Sequence, residues 1–137
     1  MEAKELMIGD WCAYGVNCKG RVTALTEHLI TLSVDGNEIN GLYMLMPDMA
    51  RPIPLTEEIL AKNFGGYDHI DYDKEGRLPC YFVGNRRIFV DSVMDKGRCF
   101  YFCHKDDWAG LHDIEIHYVH QLQHLMRLCN IDKEISI

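Results

Sequence analysis

The 137 residues predict an α+β fold: a small bent antiparallel β unit (a partial barrel), a short helix, a second antiparallel β meander and a C-terminal amphipathic helix. Three observations predict it. Asp35-Gly36 and Gly84-Asn85 are two-residue hairpin signals, each set between runs of aromatic and β-branched residues. Pro47, Pro52 and Pro54, three of the four prolines, mark an extended connector between two β-rich stretches. Tyr118, Leu122, Leu125, Met126 and Cys129 recur with helical spacing and form one apolar stripe.

Each element has its own signal. Trp11–Val16, Arg21–Thr26 and Leu29–Val34 read as strands, separated by Asn17, Gly20 and the Glu27-His28 corner. Asp35-Gly36 leads into a fourth strand around Glu38–Leu45. The helix that follows opens at Leu55–Leu60, with Thr56 as N-cap, Glu57 and Glu58 at the positive end of the dipole, and Gly65-Gly66 as its stop. Leu78–Val83, Arg86–Val90 and Arg98–Cys103 form the meander, extended by Ile114 and Ile116. The last helix is expected near Ile116–Cys129, closed by Asn130 in a left-handed conformation with Ile131 folding back. The tail Glu134–Ile137 alternates like a short edge strand. One compact domain, 1–137, is expected, with a barrel-like part over 1–54 and a helix–meander–helix part over 55–137.

Composition narrows the function classes. The chain is 47% hydrophobic and 26% charged, which is ordinary globular usage and rules out disordered and collagen-like classes. No apolar run reaches the ~18 residues of a membrane span, and Met1–Glu5 is polar and acidic, unlike a signal peptide. A cytoplasmic protein with no membrane partner is the expectation. Fourteen Lys and Arg against 21 Asp and Glu leave a net charge of −7, which disfavours duplex DNA or RNA. Six cysteines without an export signal read as free, mostly buried thiols, and none forms a Cys-x-x-Cys pair of the zinc-binding kind.

Pro52-Ile-Pro-Leu-Thr-Glu-Glu-Ile-Leu60, preceded by Ile8-Gly-Asp-Trp11, and Ile116-His-Tyr-Val-His-Gln-Leu-Gln123 occur in that order near the two ends. In these pieces the chain resembles a family of small proteins from Bacteroidetes genomes and their phages. The resemblance implies a gut-bacterial or phage origin, and for a phage protein a place in the host cytoplasm. It carries over no catalytic residue. It does suggest an anti-defence setting, in which small non-enzymatic phage proteins sequester nucleotide immune signals and tend to be oligomers.

Chemistry therefore has to come from the side chains. His117, His120 and His124 are three, four and seven residues apart, which places them on one helical face opposite the apolar stripe. His120 and His124, one turn apart, have a spacing that grips zinc, yet Gln121 stands where a hydrolytic site of this type carries its general base. A solvated or partner-facing polar stripe outweighs the metal reading, so no cofactor is expected, with zinc as the alternative. Asp113 and Glu115 lie close enough in sequence to orient an imidazole, although Asp113 as a helix cap is the simpler reading.

No nucleophile elbow, phosphate loop or dinucleotide glycine pattern occurs, which favours a binder over an enzyme. Aromatic and basic residues crowd the middle of the chain: Tyr67, Tyr72, Tyr81, Arg86, Arg87, Tyr101, His104 and Trp108. Aromatic faces stack on nucleobases and guanidinium forks hold phosphates. The expected site is Arg86, Arg87, Tyr81, Tyr101 and Trp108 around a small nucleotide-type ligand, in a homo-oligomer. The alternatives are a metal-dependent hydrolase using the histidines and a protein–protein adaptor.

Overall fold

In the computed structural model, residues 3–34, 41–65, 68–72, 76–93, 97–104 and 114–137 are described, with backbone alone for 3, 68–72, 76–79, 92–93 and 104. The fold is α+β. Among the described residues, nine strands form two antiparallel sheets in which strands adjacent in sequence pair with one another. The chain divides into two units, one comprising Met1–Pro54 with Tyr118–His124, the other Leu55–His117 with Leu125–Ile137.

The first unit carries β1 (Trp11–Tyr14), β2 (Cys18–Leu25), β3 (Ile30–Ser33) and β4 (Leu42–Leu45), an open sheet in the order β1-β2-β3-β4. Period-2 alternation puts Val22, Ile30 and Leu32 on the inner face, where they pack with Leu6, Cys12, Leu45 and Ala50. Gly20 is required by a close approach, because a Cβ there would meet Leu32 Cβ and the Ser33 carbonyl at 3.1 Å. The register of β2 against β3 shifts between Val22 and Ala24, a bulge that bends the sheet. After β4 the proline-rich segment comes back to the free side of β1. There Ala13 and Arg51 exchange both backbone bonds, at 2.9 and 2.8 Å. Among the described residues this bridge is as far as closure goes, and the sheet stays open. The Asp35-Gly36 signal lies outside the described residues, but the strands on either side of it pair antiparallel.

The second unit begins with α1 (Glu57–Phe64). Thr56 caps it through Oγ1, which accepts from Ile59 N at 3.3 Å, and Gly65 ends it at φ 77°. Then follow β5 (Asp68–Tyr72), β6 (Gly76–Val83), β7 (Arg86–Val93), β8 (Gly97–His104) and β9 (Ile114–Ile116). Gly84 takes φ 61° at the first central position of the β6–β7 turn, as a type II′ hairpin needs. β5 is an addition to the expected meander.

The last helix, α2 (Val119–Leu128), is shorter than its stripe suggests. Ile116 belongs to β9 instead, where it pairs with Phe100. Asn130 closes α2 at φ 55°, with Ile131 N donating to Met126 O at 2.9 Å, as the sequence anticipates. The tail does not form a strand. Its Ser136 is held by a side chain: Asn63 Oδ1 accepts from Ser136 N at 2.8 Å and Nδ2 donates to Ser136 O at 2.7 Å. All six cysteines are free thiols. No described helix is long and apolar enough to cross a membrane.

Candidate functional site

Strand parity decides how the expected ligand residues fall on the second sheet. Tyr81 pairs with Ile88 and Ile88 with Phe102, so this row shares one face with Val83, Val90 and Phe100. All six are buried, and Tyr81 is only 2% exposed. Tyr81 is thus a core residue of the sheet's inner face and presents no exposed surface. Arg86 pairs with Val83 and lies at the end of this inner face; its Nε is buried without a hydrogen-bond partner among the described residues.

Arg87 points the other way, as an adjacent strand residue must. It pairs with Phe82 and Cys103, and its guanidinium sits 5.3 Å from the Phe82 ring centroid. Tyr101 shares this outer face one row along, paired with Phe89 and Glu115. Its hydroxyl is pushed up from the usual phenol range by burial first and then by Cys99, Glu115 and Asp91, so it stays a neutral donor near pH 7. The structure therefore brings Arg87, Phe82 and Tyr101 to one face and sends Arg86 and Tyr81 to the other. Trp108 and Tyr67 lie outside the described residues, and of Tyr72 and His104 only the backbone is described.

The histidines also divide. His117 precedes the first residue of α2 and lies 3.5 Å from Glu115 Oε1, so it is not on the helix that carries the other two. His120 and His124 are on α2 in the first unit, with ring centroids 5.8 Å apart. Asp113 lies outside the described residues. The histidine-bearing side of the helix is not the solvated one either, for His120 and Gln123 are buried. The cause is polar demand from the chain entering β1. Gln123 Oε1 accepts from Trp11 N at 3.0 Å, and its Nε2 donates to Gly9 O at 3.1 Å. These bonds satisfy backbone groups at the entry of β1, and the one at Trp11 N is buried.

Beside this amide, Asp10 is fully buried, with Oδ2 accepting from Met7 N at 2.8 Å and lying 2.6 Å from His124 Nε2. His120 stacks on Tyr118, with centroids 5.7 Å apart. Burial lowers its pKa; Asp10 and Glu5 oppose the shift and His124 adds to it. Burial, then Asp10, pushes the Cys12 thiol up to about 11. A thiol so placed remains protonated and is a poor nucleophile.

Asp10 and His124 form a carboxylate–imidazole pair, which orients a ring and fixes its tautomer. The Cys12 thiol near it is held in its unreactive form. Among the described residues no three His, Cys, Asp or Glu side chains are grouped to hold a metal ion. Sequence reasoning misses Asp10 and Gln123. Their partners lie up to 114 residues away, and only the Gly9-Asp10 turn before a strand hints at either. No protein-family model matches the chain, and neither the curated proteins nor the solved structures provided a match.

Proposed function

We propose that this chain is a non-enzymatic binding protein that holds a small nucleotide-type ligand on the outer face of its second sheet. One observation carries the reading: Arg87 lies over Phe82 at 5.3 Å with Tyr101 on the same face. A guanidinium braced on an aromatic ring has less freedom left to lose on binding and presents donors suited to phosphate. Tyr101 offers a flat, neutral surface for a base. In the setting suggested by the resemblance to phage proteins, the ligand is a cyclic dinucleotide or a cyclic ADP-ribose-like signal, sequestered rather than turned over. The Asp10–His124 pair supports the fold of the first unit, and the protonated Cys12 thiol near it favours binding over catalysis.

Calorimetry against cyclic dinucleotides and ADP-ribose derivatives tests this. Arg87→Ala is expected to weaken binding by about 1.5–3 kcal/mol, the worth of a hydrogen bond to a charged group. Arg86→Ala, on the opposite face, is expected to leave it nearly unchanged. Equal losses from both variants, or no nucleotide binding at all, would overturn the assignment. Ligand recovered chemically altered, with the change abolished by a chelator, would favour the metal-dependent hydrolase.

A further inference from the structure

We propose that β4 is a self-association edge, through which two copies of this chain pair antiparallel about a two-fold axis. β4 ends the first sheet, and among the described residues no strand pairs with its outer side. Natural sheets protect such edges with lysines, prolines, bulges or inward charges. Leu42-Tyr-Met-Leu45 has none of these, and Met46 follows it. Leu42 and Met44 are each 72% exposed, Tyr43 is 45% exposed, and Met46 and Met49 are 55% and 52% exposed. Large apolar groups gathered on an unpaired edge mark an interaction surface.

Charge and symmetry select a second copy as the occupant. The chain carries a net charge of −7, so most approaches between two copies are repulsive. The strip 42–47 contains no charged residue, and two copies meet across it without a like-charge pair. It also offers no charge by which a foreign partner would be chosen.

Directly opposed residues in an antiparallel pair share a face, which restricts the register. Pairing centred on Tyr43 sets Tyr43 against its own copy on the inner face and Leu42 against Met44 twice on the outer one. Aromatic and apolar pairs of this kind stabilise a ladder. Leu42, Tyr43 and Met44 at these exposures present on the order of 400 Å² per copy. A pair then buries at most ~800 Å², the size of a weak, transient contact. The dimer is therefore expected to be weak and concentration-dependent.

Sedimentation equilibrium of the full chain from low to high micromolar concentration tests the proposal, with circular dichroism confirming that each variant is folded. Wild type is expected to shift from monomer to dimer as concentration rises. Met44→Lys and Leu42→Lys are expected to weaken association at least about tenfold, because an edge lysine blocks strand addition. The chain carrying both Leu42→Lys and Met44→Glu sets the introduced lysine of one copy against the introduced glutamate of the other at both rows, and is expected to regain the dimer. A wild-type monomer at every concentration would overturn the proposal, as would a dimer indifferent to Met44→Lys. Failure of the double variant to associate, when both single variants dissociate, would overturn the Tyr43-centred register.

Discussion

Each unit solves the same problem with a buried side-chain amide, and the two amides sit in different company. In the first unit Gln123 bonds to Trp11 N and Gly9 O, fastening the entry of β1 to α2. In the second, Asn63 bonds to both backbone groups of Ser136 and also to Ile59 O at 2.8 Å, fastening the tail to α1. An amide suits the task because it carries a donor and an acceptor side by side, as a neighbouring strand would. At the first clamp Asp10, next to Trp11 in the chain, interacts with His124, His120 and Cys12. Asn63 has lysines: Lys62 donates to Ile137 O at 3.2 Å, and Lys133 donates to Asn63 O while lying over the Phe64 ring. The first clamp thus stands beside a histidine, His120, whose pKa burial lowers, and the second stands among lysines.

The largest expected effect sets the baseline for both. Leu122 in the first unit and Leu60 in the second are each 0% exposed, and cutting either to Ala is expected to cost about 2–5 kcal/mol. Urea midpoints measure it. A loss below half a kilocalorie at either position would show that its surroundings collapse around the missing atoms.

The clamps come next. Gln123→Leu is expected to cost about 1–3 kcal/mol, because the bond it removes at Trp11 N is buried. Asn63→Leu is expected to cost about 0.5–1.5 kcal/mol per bond lost, because its bonds to exposed Ser136 are part-buried. Equal losses at neutral pH would show that the two are energetically alike, and a negligible loss at one would show that water takes its place.

Acidity then separates them. Burial holds the pKa of His120 below its unfolded value. The unfolded chain therefore binds the extra proton first as pH falls, and stability contributed by the neutral ring is present above the unfolded pKa and lost below it. Denaturant midpoints measured from pH 8 to pH 5 are expected to fall, and His120→Phe is expected to flatten that fall. An unchanged slope in His120→Phe would place the pH sensitivity elsewhere.

The smallest effect is kinetic. Cys12, held protonated up to about 11, is expected to resist alkylation at pH 8 while exposed Cys18 reacts promptly. Peptide mapping after brief labelling reads this, and denaturation should expose six reactive thiols. Fast labelling of Cys12 in the folded chain would mean that its pocket opens.

Local signals account for most of the fold. The Gly84-Asn85 turn, the Thr56 cap and the Asn130 helix end depend on residues within five positions of one another, and all appear as expected. β5 escapes a reading by pattern because Asp68-His-Ile-Asp-Tyr72 places two carboxylates in a five-residue strand and lacks a clean apolar alternation. The helical period overextends α2 because Ile116 and Tyr118 fit it, while strand pairing with β8 captures Ile116. The opposite facing of Arg86 and Arg87 is legible in principle, since neighbours on a strand always diverge. The Gln123 clamp is not legible, because nothing near residue 123 points to the Trp11 backbone 112 positions earlier that its amide bonds.

That distance has a meaning for a chain made from its N-terminus. β1 to β4 leave the ribosome long before Gln123 and His124 exist, so Trp11 and Asp10 are synthesised well ahead of those two partners. At about 5–20 residues per second the interval lasts roughly 6–22 seconds, far longer than hairpins need to form. Through that interval the nascent first sheet has solvent or chaperones as partners for those polar groups. Its final locking is a late event, timed by translation and not by the sheet's own folding speed.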